Sequence, residues 1–264
     1  MRYAQMDSPL LTGFLASLIA GAATGLGGLA LWFTGRPTAE QQKLMLGFSA
    51  GVMLAASFFS LIIPGIEHAE SLGASRPEAA ATIVAAVLLG AFTLSSLHRH
   101  LPVDHIAMLG RPGIDPLDVK RIWLFVVAIT LHNFPEGMAV GVSFGTGDMD
   151  AGMTTALGIG VQNIPEGLAV AVSVLTLGYS RVQAFLIALA TGLVEPVGGV
   201  FGAGLAAIST TLLPWGLGFA AGAMIYVVAT EIIPDTQRPK PSVRASHGLM
   251  VGLAAMMFLD VAMG

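Results

Sequence analysis

Long apolar stretches alternate with short polar clusters along the whole chain. They cover about residues 9–33, 43–63, 77–97, 121–144, 152–177, 182–209, 213–233 and 244–263. A helix needs about 20 mostly apolar residues to cross a bilayer, so each stretch predicts one membrane-spanning helix. Glycine, proline and charged residues fill the breaks between them, as is typical of loops. The pattern predicts an all-α integral membrane protein with eight spans in one domain over residues 1–264.

The composition agrees with this class. The 264 residues are 55% hydrophobic and only 11% charged, whereas a soluble domain carries about 25% charged residues. The chain contains no cysteine, which excludes disulfides, thiolate metal ligands and cysteine nucleophiles. We expect the lipid bilayer as a partner and no nucleic acid. The sequence leaves a homodimer open.

Lysine and arginine are divided unequally between the two sets of loops. With eight spans, the set that includes both termini carries only Arg2 and Arg76. The other set carries Arg36, Lys43, Arg99, Arg111, Lys120, Arg121, Arg181, Arg238, Lys240 and Arg244. Because cytoplasmic loops are rich in these residues, we expect both termini outside, the 98–120 loop in the cytoplasm, and the protein in the inner membrane.

Two internal repeats link different spans. Residues 132–140 of span four read His-Asn-Phe-Pro-Glu-Gly-Met-Ala-Val, and residues 162–170 of span five read Gln-Asn-Ile-Pro-Glu-Gly-Leu-Ala-Val. A weaker echo relates residues 50–64 of span two to residues 221–234 of span seven. Both pairs run in opposite directions through the membrane. This predicts an inverted repeat, either of spans one to four with five to eight or in a 3+2+3 grouping, and such repeats indicate a transporter's binding site.

Acidic residues lie within the predicted spans, whereas lysine and arginine occur only at the first residue of a span, as Lys43, Arg121 and Arg244. Glu136, Glu166 and Glu195 fall near the middle of spans four, five and six, and Glu231 and Asp260 lie nearer the ends of spans seven and eight. A charged side chain at mid-membrane costs about 2.5–3.5 kcal/mol on insertion scales. Carboxylates without a fixed cation must be protonated or must hold mobile cations. A bound divalent ion is the better account, because glutamine would serve a neutral role at lower cost.

The spacing of the repeated motif selects metal ligands. A histidine or glutamine stands four residues before each glutamate, and therefore on the same helix face, and an asparagine stands three residues before it. Imidazole with carboxylates suits Zn²⁺ or Fe²⁺, while amide oxygens accept harder ions. Each glutamate can bridge two ions. The expected ligands are His132 and Gln162 for one ion, Asn133, Asn163 and Glu195 for the other, and Glu136 and Glu166 for both.

Prolines adjoin all three central glutamates. Pro135 and Pro165 precede Glu136 and Glu166, and Pro196 follows Glu195. Because proline lacks an N–H and crowds the carbonyl four residues earlier, we expect three interrupted helices at the same depth. Freed carbonyls in a membrane need water, a neighbour or an ion as partner.

The doubled Asn-x-Pro-Glu-Gly motif resembles that of the ZIP (Zrt-/Irt-like) metal transporters, most closely the bacterial GufA-type branch. The resemblance runs from about Lys43 to the C-terminus. It implies the ZIP fold and transport of zinc, with cadmium, iron or manganese as further candidates, toward the cytoplasm through a binuclear centre by an elevator-like movement. Cadmium is the expected surrogate. It also implies that Met53 lies near the first ion, Glu231 near the centre or its exit, and Glu67 and Asp260 at the outer entrance.

Several of these residues have plainer interpretations. Met53 could be a packing residue, Glu231 an acid near the interface, and Glu67 and Asp260 solvated helix ends. His98, His100 and His105 could receive metal on exit or be ordinary loop residues. Where the nearest branch has Gln-Asp, this chain has Gln162 and Asn163, so the second ion loses a charged ligand.

Three other functions fit parts of the pattern. An intramembrane metal hydrolase would use Glu136 as general base, but the chain has no His-Glu-x-x-His motif and a hydrolase needs no second copy of its motif, so we expect no enzyme. A proton- or calcium-exchanging antiporter is another alternative, but His132 argues for a softer ion because calcium sites prefer oxygen ligands. A passive channel differs from a carrier in saturation and rate, which the sequence does not reveal.

Overall fold

Eight helices long and apolar enough to cross a membrane make up a computed structural model of the protein, which describes residues 9–34, 37–99, 116–237 and 240–263. The expected all-α class with eight spans is confirmed. The helices are α1 (Pro9–Thr34), α2 (Ala39–Ser71), α3 (Arg76–Arg99), α4 (Pro116–Gly145), α5 (Met149–Thr176), α6 (Arg181–Ile208), α7 (Leu213–Thr236) and α8 (Val243–Met263). A short 3₁₀ turn, Thr210–Leu212, precedes α7. Helix α4 begins at Pro116, inside the segment predicted as the 98–120 loop.

A tight turn between α4 and α5 places the two copies of the motif side by side. Gly147 adopts a φ of 84°, a left-handed conformation that glycine accepts without steric cost. The Asp148 side chain then accepts from the backbone N–H groups of Asp150 and Ala151 and caps α5, which satisfies donors that a helix start leaves open. The short turn makes α4 and α5 antiparallel neighbours.

The prolines act on the helices differently from the prediction. Helices α4 and α5 continue through Pro135 and Pro165, because losing one backbone bond leaves the rest of the helical ladder intact. Of the three helices that carry the central glutamates, only α6 is interrupted, at Leu193 and Val194, and it restarts at Glu195. The expectation of three interrupted helices is therefore wrong for α4 and α5.

Two π-helical segments interrupt α2 and α7 instead, at Ser57–Ile62 and Val228–Ile232. In each, the N–H after the segment donates to a carbonyl five residues back, from Ile63 to Phe58 and from Ile233 to Val228. Both segments end just before a proline, Pro64 or Pro234. Each π turn adds a residue to the helical turn, and such bulges are frequent at functional sites.

The helix packing follows a two-fold pattern. Helix α2 packs on α8 as α7 packs on α3, and α1 packs on α5 as α6 packs on α4. Helix α2 also contacts α5, and α7 contacts α4 in the same way. If α1, α2 and α3 are matched in order with α6, α7 and α8, and α4 is matched with α5, each of these helix pairs corresponds to the pair named with it. Of the two groupings that the sequence allows, the packing fits 3+2+3.

Candidate metal centre

The three central glutamates are all buried inside the helix assembly. Glu136 on α4 and Glu195 on α6 are fully buried, and Glu166 on α5 is 1% exposed. Their carboxylates are close enough to interact electrostatically, Glu136 with both others. The break in α6 starts a new helix at Glu195, so this carboxylate belongs to the first turn of that helix. A helix start favours negative charge.

Hydrogen bonds join the motif side chains into one network. Gln162 Nε2 donates to Glu136 Oε1 at 2.7 Å and to Asn163 Oδ1 at 2.8 Å. Asn163 Nδ2 donates to Glu195 Oε1 at 2.6 Å and to the Ala20 carbonyl at 2.8 Å. The structure therefore brings together residues of α4, α5 and α6 that the sequence predicts as ligands, and it ties them to α1.

Many polar atoms in this network have no hydrogen-bond partner among the described residues. A buried polar atom without a partner costs about 1–3 kcal/mol, so a concentration of such atoms in one place marks a candidate binding site for a cation or for water. The unpartnered atoms at the centre are Nδ2 and Oδ1 of Asn133, Oε2 of Glu136, Oε1 of Gln162, both carboxylate oxygens of Glu166 and Oε2 of Glu195.

No basic side chain neutralises these carboxylates within the described part of the chain. The sequence has no lysine or arginine between Arg121 and Arg181, which covers both copies of the motif. The ion pair found among described residues joins Lys43 to Glu40 at 3.8 Å, at the start of α2. The negative charge of the centre must therefore be balanced by protons or by a cation from outside.

Helix α2 approaches the centre beside α5. The Ser49 hydroxyl donates to the Gln162 carbonyl at 2.9 Å. Met53 stands one helical turn further along α2, on the same face as Ser49, and is 1% exposed. This arrangement brings Met53 to the motif side of α2.

Five of the predicted residues lie partly or wholly outside the part of the chain that the structure describes. The side chains of His132, Glu231 and His98, and the whole of His100 and His105, lie outside the described residues. Within the described part, no three His, Asp or Glu side chains converge as a ligand group for one ion. The candidate donors of the described centre therefore combine acids with the amides of Asn133, Gln162 and Asn163.

Two cavities open toward opposite ends of the helices. The first, which we call the acidic cavity, has a volume of about 640 Å³ and contains three carboxylates, those of Glu67, Asp148 and Asp260. The Ser60 hydroxyl donates to Asp260 Oδ1 at 2.7 Å. The structure thus brings together Glu67 and Asp260, both predicted at the outer entrance.

The second, which we call the lysine cavity, has a volume of about 910 Å³ and contains Lys43 and Lys240 beside Glu40 and Asp235. The Lys43 ammonium donates to the Lys240 carbonyl at 2.9 Å. The predicted ligands Glu136, Gln162, Glu166 and Glu195 line neither cavity. The centre is therefore enclosed between them.

Sequence reasoning missed several cavity residues. Asp148 and His68 line the acidic cavity, and the Nε2 atom of His68 is buried without a partner among the described residues. Ser143 lines the acidic cavity and Ser173 the lysine cavity. A signal was present, because the repeat continues past Val140 and Val170 to these two serines.

A buried set of carboxylates and amides, enclosed between two cavities inside eight membrane-spanning helices, defines a polytopic cation transporter. Comparison with known proteins supplies the family. The family model "ZIP Zinc transporter" matches residues 118–260, and the chain belongs to this family.

Curated relatives match nearly the whole chain. Zinc transporter GufA of Myxococcus xanthus is 44% identical over 252 residues, which cover 96% of this chain and 99% of the relative. Zinc transporter ZIPB of Bordetella bronchiseptica is 45% identical over 92% of this chain and 78% of the relative. Zinc transporter ZIP11 of Homo sapiens is 33% identical over 83% of this chain and 87% of the relative. These names confirm the expected family and branch, and a transport rather than a catalytic function.

Proposed function

We propose that the protein carries Zn²⁺, and also Cd²⁺, Fe²⁺ or Mn²⁺, across the inner membrane toward the cytoplasm through a buried binuclear centre. The observation that carries this proposal is the cluster of unpartnered oxygen atoms on Glu136, Glu166 and Glu195, with no lysine or arginine between Arg121 and Arg181. A divalent ion supplies the charge and the bonds that these atoms lack. The zinc named in the relatives supports the choice of ion.

The first ion is assigned to His132, Glu136, Gln162 and Glu166, with Met53 as a further neighbour. The bond from Gln162 Nε2 to Glu136 Oε1 supports this assignment, since it brings side chains of both motif helices within reach of one ion. The unpartnered Gln162 Oε1 is the amide atom that can bind metal. An imidazole, two carboxylates and a neutral amide suit a transition metal.

The second ion is assigned to Asn133, Asn163 and Glu195, with Glu136 and Glu166 as bridges. The contact of Asn163 with Glu195 supports this set. Metal binding here requires the Asn163 amide to reorient, because its nitrogen faces Glu195 and its oxygen accepts from Gln162. We infer that the second ion binds more weakly than the first, as the neutral Asn163 also implies. Glu231 belongs to α7, which packs against α4, and we assign it to the exit of the metal path.

The inward direction rests on the charge of the loops and of the cavities. The division of lysine and arginine places the termini outside, and the acidic cavity lies at the end of α8 that carries Asp260. Negative groups in a cleft raise the local concentration of cations. The lysine cavity combines two lysines with two acids, so it attracts a cation less and favours release.

Glycine contacts support an elevator-like movement. A methyl group at Gly137, Gly167 or Gly192 would overlap backbone of α6 or α1, so α1, α4, α5 and α6 pack as one close bundle. Similar contacts at Gly51 and Gly222 join α2 to α8 and α7 to α3. Between the two bundles described glycines face side chains rather than backbone, as Gly158 faces Met256 and Gly216 faces Val142. The bundle that carries the metal centre can therefore slide against the other.

Zinc flux into proteoliposomes that contain a zinc-sensitive dye tests the assignment. We expect zinc uptake by the wild type and its loss in His132→Ala and Glu136→Ala. Thr82→Ala is a matched control, because Thr82 is a membrane-helix residue whose hydroxyl, among the residues that the structure describes, donates to the Glu78 carbonyl of its own helix. Equal flux in all four proteins would contradict the proposal. Anomalous scattering from cadmium-soaked crystals should give two neighbouring peaks at the centre.

A further inference from the structure

The motif repeat extends beyond the metal centre to a pair of hydroxyl residues on each helix. Ser143 and Thr146 follow Glu136 on α4 as Ser173 and Thr176 follow Glu166 on α5. In both pairs the threonine hydroxyl donates to the serine carbonyl, at 2.7 Å on α4 and 2.6 Å on α5. The two pairs are therefore equivalent in sequence and in local structure.

Each pair lines one of the two cavities. Ser143 and Thr146 lie in the acidic cavity, whereas Ser173 and Thr176 lie in the lysine cavity. Each serine follows its glutamate by two helical turns, so it lies on the same helix face, about 10 Å along the axis. Buried apolar residues of the repeat, such as Val140 and Val170, lie between the serine and the glutamate. One face of each helix thus leads from a cavity to the centre.

A second observation points to a ligand at the floor of the acidic cavity. Thr154 lines this cavity and is 1% exposed, yet its hydroxyl has no partner among the described residues. Its neighbour Thr155 donates to Ser143 Oγ at 3.2 Å. A buried hydroxyl that faces a cavity without a partner is suited to bind water or an ion.

We propose that these hydroxyls form two transit sites for the metal ion, one of Ser143 and Thr154 at the floor of the acidic cavity and one of Ser173 at the floor of the lysine cavity. This proposal rests on the proposed function, because it assigns the path to the same buried centre. Hydroxyl oxygens replace part of the hydration shell as the ion leaves each cavity. Being neutral, they bind it more weakly than the glutamates do, so the ion is not retained there.

The absence of cysteine makes the path directly testable. Single Ser143→Cys and Ser173→Cys variants carry the only thiol in the protein, and serine to cysteine changes little in size. We expect a charged, membrane-impermeant methanethiosulfonate reagent to label the two variants from opposite sides of a proteoliposome. Labelling should reduce zinc flux at least about tenfold, the effect of one strong interaction on a rate. Zn²⁺ or Cd²⁺ should slow the labelling.

Thr191→Cys is the matched control. Thr191 is buried in α6, its hydroxyl donates to the Ala188 carbonyl, and it lines neither cavity. We expect no labelling of this variant and unchanged flux. If Ser143→Cys does not fold, Thr146→Cys offers the same side of the path.

The outcomes separate this proposal from the function itself. Labelling of both serine positions from one side, labelling of neither, or full zinc flux after complete labelling would each overturn the transit sites. In those cases flux in the wild type and its loss in Glu136→Ala would leave the transport assignment intact. Absence of flux in the wild type would instead overturn the proposed function. Opposite-side labelling with blocked flux supports the transit sites.

Discussion

Asn163 connects the metal centre to the neighbouring helices, so Asn163→Asp is a sensitive test of the site. The amide nitrogen donates to Glu195 Oε1 and to the Ala20 carbonyl. An aspartate in the same position has no N–H to donate and places a second carboxylate 2.6 Å from Glu195. The substitution therefore removes two hydrogen bonds and adds like-charge repulsion in a buried site.

The expected cost follows from those two bonds. A buried acceptor that loses its donor costs about 1–3 kcal/mol, so two acceptors cost about 2–6 kcal/mol before any repulsion. One kcal/mol shifts the Tm of a domain of 150–250 residues by about 2–4 °C. Without metal, we therefore expect the Tm of Asn163→Asp to lie at least about 4 °C below that of the wild type.

Zinc should reduce the difference in Tm between the two proteins. The new carboxylate would give the proposed second ion a charged ligand, and a ligand that binds only the folded state raises its stability. We expect a larger zinc-dependent rise of Tm in Asn163→Asp than in the wild type. Tryptophan fluorescence during heating in detergent, with a chelator or with increasing zinc, measures both effects.

Asn133→Asp is the control for added charge. Asn133 is the equivalent residue on α4, and neither of its amide atoms has a partner among the described residues. This substitution adds the same charge but breaks no such bond, so the Tm without metal should fall less. The reasoning would be refuted if both variants lost equal stability in chelator, or if zinc stabilised Asn163→Asp no more than the wild type.

Two further predictions concern packing and protons. Gly167→Ala should reduce the yield of folded protein because its methyl group would overlap the Thr24 carbonyl, whereas Gly204→Ala should be tolerated because the nearest atom to its methyl group would lie 3.8 Å away. Size-exclusion profiles in detergent compare the two variants, and equal profiles would contradict close packing of α1 on α5. Zinc uptake should fall as the external pH is lowered from about 7 to about 5, because protons compete with the metal for the imidazole and carboxylates; a steady rise in uptake would contradict this and indicate proton coupling.

The sequence predicted the fold because its main signals are local and strong. Apolar length alone defines eight helices, and the repeated motif defines which of them meet. The π-helical segments at Ser57–Ile62 and Val228–Ile232 were not predicted, because an i→i+5 bond pattern has no distinct hydrophobic period. The interruption at Pro135 and Pro165 was predicted wrongly. The rule for proline describes the loss of one bond, whereas continuity depends on the remaining bonds and on neighbouring helices.

The candidate site was predicted in its members but not in its connections. Spacing indicates which side chains share a helix face, and it grouped Glu136 with Gln162, whose side chains are in contact in the structure. It does not indicate that Asn163 reaches the Ala20 carbonyl on α1 or that Ser60 reaches Asp260 on α8. Those contacts depend on helix rotations and axial shifts, which tertiary packing determines.

The near-symmetry of the two halves explains where direction must come from. A path whose glutamates, serines and threonines are equivalent on α4 and α5 offers an ion the same steps from either end. The residues that break the equivalence are therefore the ones that distinguish inward from outward movement. One difference is His132, which corresponds to Gln162 in the repeat, but an imidazole favours a transition metal rather than a side of the membrane. The other difference is charge, three acids in one cavity against two lysines and two acids in the other. Under the proposed inward transport, this difference acts before the ion is bound and after it is released, so we expect it to bias loading and unloading, whereas the buried centre would be indifferent to direction.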